Sequence, residues 1–279
     1  MIDVLPTGQA CGASVTGVDL SQRLTPAIIA EIRKAWLMHH VLAFPGQAMS
    51  DDDLERFTRA MGGFGHDPFI APIPGRDHII AVERRADETS PLFAENWHSD
   101  WSFQPTPPAG TCLYGITVPP VGGDTLFANQ HAALDAMPGP LRARIEGRVA
   151  IHSAKRAYAP DGFYGDDDSA ARSMDIRPSK AAEATQCHPI IRAHAETGRL
   201  GLFSCLGYII GIEGMDDQEA LPLLVELYEW QGREEFHYRH QWVAGTLLMW
   251  DNRSLLHAAT GGYNGHHRRL HRTTIAERA

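Results

Sequence analysis

Three residues, at positions 98, 100 and 257, constrain the fold of this chain more than any other feature. His98-Ser99-Asp100 sets two metal-binding side-chain types two positions apart. Alternate side chains of an extended segment point to one side, so His98 and Asp100 can grip one ion while Ser99 faces away. The third donor, His257, follows Trp250-Asp251-Asn252-Arg253, and folding must bring the two halves of the chain to one point. Two imidazoles and one carboxylate leave part of a metal's surroundings open, as in the facial triad of non-haem Fe(II) oxygenases. The same donors with an open position also suit a zinc hydrolase that activates water.

The flanks narrow the choice. Glu95-Asn96-Trp97 leads into His98, and Trp101-Ser102-Phe103 follows Asp100. Gly122-Gly123-Asp124-Thr125-Leu126-Phe127 comes next, and Arg268-Arg269-Leu270-His271-Arg272 lies beyond His257. In this order and spacing the chain resembles the TauD/TfdA family of Fe(II)- and 2-oxoglutarate-dependent dioxygenases, from Gly12-Ala13-Ser14 near the start to Thr273-Thr274-Ile275 near the end.

The resemblance implies that His98, Asp100 and His257 are the catalytic, iron-holding residues. It implies that Thr125 and Arg268 hold the distal carboxylate of 2-oxoglutarate. The implied reaction is hydroxylation of a C–H bond with Fe(II), 2-oxoglutarate and O2, giving succinate and CO2. Related halogenases put a small residue where the carboxylate ligand stands, and Asp100 keeps the carboxylate. The carry-over is physically sensible, because a dicarboxylate that chelates iron through its 2-oxo acid end leaves its other carboxylate for an arginine fork and a hydroxyl donor.

The stretch 268–275 reads as a strand, since it ends in β-branched residues and carries no helix-cap signal. Positions 268, 270 and 272 then share a face, with Arg269 on the surface side, and the resemblance implies that Arg272 points towards an anionic group of the substrate. A buried arginine needs a partner. Taurine dioxygenases of the family clasp the sulfonate with a His and a Tyr on the loop after the second helix. The matching stretch, 65–74, has His66 and Asp67 but no Tyr, so taurine is not the expected substrate. Arg272, Asn96, Ile70 and Phe69 are the expected substrate contacts. With Trp101, Phe103, Tyr158, Phe163 and Tyr164 they suit a small anionic, hydrophobic molecule such as an aryloxyalkanoate, although such aromatics more often fill cores. A sulfonate or alkyl sulfate is the alternative within the family, and a non-catalytic jelly-roll binding protein the alternative outside it. A lid or insertion is expected around 155–185, where Gly and Asp alternate with apolar anchors.

The rest of the chain fits a single domain over 1–279, because no linker or repeat divides it and the donors span both halves. The expected class is mixed α/β, mainly β: a double-stranded β-helix (jelly roll) core with peripheral helices, which is also the fold the resemblance implies. Thr25-Pro26 opens a helix, Ser50 caps a second, and 41–44 and 111–118 read as strands. Gly122-Gly123 permits a tight turn into Thr125. A helix is predicted over 218–231 with Pro222 in its first turn, and an apolar strand at 245–250 leads to the turn before His257. A net charge of −9 does not favour nucleic acid. No apolar run is long enough for a membrane span. Four scattered cysteines and a start without a signal pattern suggest a cytoplasmic protein. The family is commonly oligomeric, so a dimer or tetramer is expected. Most histidines, including His39, His40, His266 and His267, read as surface residues.

Overall fold

Every residue of the strand Leu247–Asp251 is buried, and its alternation explains why. Leu247 and Met249 join one apolar cluster, while Leu248 and Trp250 join another on the opposite face. The neighbouring strand Val41–Phe44 divides in the same way, Leu42 and Phe44 to one side and Val41 and Ala43 to the other. A strand covered on both faces reads as a continuous apolar run.

The computed structural model describes residues 2–278. It is mixed α/β and mainly β. The central strand lies within a seven-stranded sheet whose order is Asp3–Pro6, Ala13–Thr16, Val41–Phe44, Leu247–Asp251, Gly110–Thr117, Arg268–Ile275 and Ile80–Arg84. The helices Pro26–His39 and Asp51–Met61 cover its outer face with Ile32, Trp36, Leu54, Phe57 and Met61. A three-stranded sheet, His237–His240, Thr125–Asn129 and Leu255–Ala259, covers the inner face with Phe127, Tyr238 and Leu255. Both helix starts follow the sequence signals. The Thr25 hydroxyl accepts from the Ile28 amide, and Ser50 and Asp53 form a reciprocal capping box.

A further three-stranded sheet, Ile209–Ile212, Val149–Ser153 and Thr185–Pro189, packs with the helix Asp217–Gln231. Pro222 lies inside that helix rather than in its first turn. It is exposed, so the carbonyl that its missing N–H leaves unpaired can be solvated. His40 is also not a surface residue. It is 7% exposed with φ 65°, and its Nδ1 lies 3.0 Å from the Ser254 hydroxyl.

The segment 155–185 holds the short helices Lys155–Tyr158 and Asp166–Ser169 and the 3-10 turn Lys180–Glu183, and aromatic contacts hold the first of these helices and the loop after it. Tyr158 stacks on Phe69 at 5.1 Å between ring centroids, and Tyr164 packs on Tyr158 at 5.4 Å.

Candidate active site

His98 and His257 form an isolated antiparallel bridge, exchanging N–H···O bonds of 3.0 and 2.8 Å. Directly opposed residues of an antiparallel pair present their side chains on the same face. The two rings accordingly lie 4.1 Å apart between centroids. Asp100, two residues on, brings its Oδ1 to 3.9 Å from His98 Nε2 and 3.8 Å from His257 Nε2. One donor atom from each of these residues lies within 4.8 Å of the others, and no other such cluster occurs among the described residues. Ser99 faces away, its hydroxyl donating to the Asn252 carbonyl at 2.7 Å.

The surroundings fit the three groups for a cation. His98 Nδ1 donates to the Asn96 carbonyl at 2.8 Å, which leaves the Nε2 lone pair free. Burial holds both imidazoles below their usual range, His257 at about 3, so both are neutral donors. Burial alone would raise Asp100, but His257 in its protonated form, the Arg272 guanidinium, His98 in its protonated form and the Thr111 hydrogen bond lower it, so the carboxyl is already ionised at a pH where both imidazoles are neutral.

The Asp100 carboxylate is aimed by a chain of hydrogen bonds. Thr111 Oγ1 donates to Asp100 Oδ2 at 2.6 Å and accepts from Asn252 Nδ2 at 3.0 Å. Asn252 Oδ1 in turn accepts from Trp250 Nε1 at 2.9 Å. With Oδ2 occupied, Oδ1 is left facing the imidazoles. Trp101, next in the chain, has φ 50°, a region that bulky residues rarely adopt, and its indole N–H donates to Asp67 Oδ1 at 2.7 Å. Thr111→Val removes the donor that fixes Asp100 while keeping its volume. Metal affinity, read by equilibrium dialysis, should fall about 10–100-fold, the range for lost partners of metal ligands. An unchanged affinity would remove Thr111 from this role.

Two open cavities meet at the donors, and His98 and Arg272 line both. The first, of about 710 Å³, is walled by Leu113, Trp250 and Tyr263 and reaches Thr125 and Arg268. Arg268 is 6% exposed, with Nη2 donating to the Gly123 carbonyl at 3.2 Å and Nε without a partner among the described residues. Burial lowers its pKa, because no carboxylate pairs with it. A buried guanidinium in that state calls for an anionic ligand. Trp242 Nε1 donates to Thr125 Oγ1 at 2.9 Å, so the Thr125 proton is free to be donated into the cavity. The predicted turn is present, with Gly122 at φ 66° and Gly123 at φ 71°. A Cβ on Gly122 would lie 2.6 Å from the Gly261 carbonyl oxygen.

The second cavity, of about 860 Å³, is aromatic: Phe93, Trp97, Trp101, Tyr158, Phe163, Tyr164 and Tyr208 line it together with Asn96 and Asp100. Phe69 and Ile70 are buried in the cluster that backs this wall and do not line it. Arg272, on the same strand face as Arg268, is 5% exposed and lies over the Trp101 ring at 5.1 Å. Its Nη2 donates to Asp67 Oδ1 at 2.6 Å, and its Nη1 stands 3.6 Å from Asp100 Oδ1. Sequence reasoning does not single out Thr111 or Trp242, which hold Asp100 and Thr125, or Arg156 in the wall of the second cavity. Asp67 it notes only as a departure from the taurine-binding loop.

A profile described as taurine catabolism dioxygenase TauD, TfdA family, matches residues 3–274. The chain is 34% identical over 273 residues to the (S)-phenoxypropionate/alpha-ketoglutarate-dioxygenase of Delftia acidovorans, covering 92% of this chain and 89% of that one. It is 31% identical over 270 residues to the alkylsulfatase of Acinetobacter baylyi, covering 95% and 82%. The crystal structure of AAD-2 in complex with Mn(II) and N-oxalylglycine superposes with a TM-score of 0.79 at 27% identity, covering 100% of this chain and 98% of that one.

Proposed function

The chain belongs to the TauD/TfdA family, and from that premise we propose that it hydroxylates a C–H bond of a small anionic, hydrophobic molecule of the aryloxyalkanoate kind. It is a 2-oxoglutarate-dependent dioxygenase, an oxidoreductase, and it uses Fe(II), 2-oxoglutarate and O2. The zinc hydrolase and the non-catalytic binding protein are set aside with that assignment. When bound, Fe(II) with 2-oxoglutarate supplies the oxidation, one atom of O2 going to succinate as CO2 is lost and the other to the substrate C–H bond.

In this reading His98 and His257 hold the iron through neutral Nε2 atoms and Asp100 through Oδ1. Arg268 and the Thr125 hydroxyl hold the distal carboxylate of 2-oxoglutarate, and Leu113, Trp250 and Tyr263 keep water from it. The substrate lies in the aromatic cavity, with Asn96 and Arg272 in its wall and Phe69 and Ile70 stiffening that wall from behind. Arg272 stays paired with Asp67 and steadies Asp100. The proposed framework is one domain over 1–279 with a jelly-roll core, and 155–185 acts as the lid. The protein works as a homodimer or tetramer in the cytoplasm, on a small molecule and without nucleic acid or membrane. No helix among the described residues is long and apolar enough to cross a membrane.

The aromatic lining of the cavity beside Asp100 carries the substrate reading. The relative named as an alkylsulfatase favours a sulfate ester as the second reading. Succinate formation and O2 uptake across matched aryloxyalkanoates, alkyl sulfates and sulfonates test both. Coupled turnover should be greatest with the aryloxy acids. Coupling confined to the sulfates would establish the second reading, and equal turnover with short polar acids would remove the hydrophobic requirement.

A further inference from the structure

Five arginines line the two cavities, and their partners sort them. Arg84 lies 3.5 Å from Glu88, Arg172 is paired with Asp168, and Arg272 with Asp67. Arg268 has no carboxylate partner and is the one proposed to receive 2-oxoglutarate. The fifth, Arg156, lines the aromatic cavity and is exposed. Its Nη1 donates to the Ile209 carbonyl at 3.1 Å, and no carboxylate pairs with it among the described residues. Each cavity therefore contains one guanidinium without a counter-charge.

The backbone beneath Arg156 is well held. It sits in the helix Lys155–Tyr158, whose Tyr158 is 1% exposed and packed between Phe69 and Trp101. The Phe163 amide donates to the Arg156 carbonyl at 2.9 Å, which returns the following loop onto the helix. The other arginine of this cavity is poorly placed to take a substrate anion. Asp67 holds Arg272 while also accepting from Trp101 Nε1 at 2.7 Å and Thr274 Oγ1 at 3.3 Å. An anion that drew Arg272 away would leave the Asp67 carboxylate short of its charge partner in a partly buried place.

We infer that Arg156 is the residue that selects an anionic substrate: the oxyanion head group pairs with its guanidinium in the cavity wall, and the apolar body lies along the aromatic side chains towards His98 and Asp100. Arg272 is then a positioning residue for Asp100. This assignment rests on the reading of the substrate as a hydrophobic acid. Carboxylates and sulfate esters share the required chemistry, since both present coplanar or near-coplanar oxygen pairs to a guanidinium fork.

The test is calorimetric binding, under nitrogen, to the protein loaded with Fe(II) and 2-oxoglutarate. The probes are 2-phenoxypropionate against its neutral primary amide, and an alkyl sulfate against the corresponding alcohol. The intact protein should prefer an anion to its neutral partner. Arg156→Ala should lower affinity for that anion about tenfold, as expected for a charge-assisted contact, and leave the neutral probe and 2-oxoglutarate unaffected. Arg156→Lys should restore part of the preference. Whichever anion loses more identifies the head group. If the Arg156→Ala protein keeps the full preference for the anion, the assignment is wrong while the acid substrate stands. If the intact protein shows no preference for either anion, the acid-substrate reading fails and Arg156 falls with it.

Discussion

Asp100→Ala abolishes iron binding and turnover, with Fe(II) affinity falling by more than about 100-fold, beyond the usual effect of losing only a partner of a ligand. Asp100 is the single anionic donor of the cluster, and two neutral imidazoles cannot replace its charge. The substitution leaves the fold intact, because Arg272 keeps its bond to Asp67 and the His98–His257 bridge is made by backbone. Metal content and succinate formation measured on the same purified sample decide the matter. Succinate formation at the normal rate with a full complement of iron would show that Asp100 is not a ligand. Asp100→Asn, which preserves shape but not charge, should resemble the alanine variant more than the intact protein.

Arg268→Ala raises the 2-oxoglutarate requirement about 10–150-fold, the effect of about 1.5–3 kcal/mol for a hydrogen bond to a charged group. The side chain is buried, its Nε lacks a partner and its pKa is lowered by burial, so its folded position has value chiefly when an anion is present. Loss of such a contact shows mainly in the KM for 2-oxoglutarate, with the KM for the primary substrate little changed. Arg268→Lys keeps the charge but not the fork, and should fall between the two. A larger change in the primary substrate's KM than in that of 2-oxoglutarate would move Arg268 to the other cavity.

Local patterns carried much of this arrangement. The β-branched end of 268–275 and its lack of a helix-cap signal located the strand of Arg268 and Arg272, and the Thr25 and Ser50 caps located both helices of the outer layer. The His98-x-Asp100 spacing carried its own geometry, since the skipped Ser99 is turned to the Asn252 carbonyl. What sequence did not disclose are side-chain partners distant along the chain. Thr111 meets Asp100 only because the strand Gly110–Thr117 runs beside Leu247–Asp251, and Trp242 meets Thr125 only because it follows the strand His237–His240, whose last residue pairs with Thr125. Asp67 reads as an intrusion in a loop until its bonds to Arg272 and Trp101 are seen. Phe69 and Ile70 fell on the packed side of the loop because nothing in an irregular segment fixes which side chains face a cavity. His40 reads as a surface residue in the sequence, whereas its backbone, at φ 65°, turns it into the interior.

The most direct measurement is an anaerobic titration of the metal-free protein with Fe(II) and then 2-oxoglutarate, followed by visible absorption. The two-histidine, one-carboxylate site with Arg268 and Thr125 behind it predicts saturable iron binding and then the weak metal-to-ligand charge-transfer band of the chelate, at one equivalent of each. Tight binding of iron with no band at any 2-oxoglutarate concentration would contradict the account.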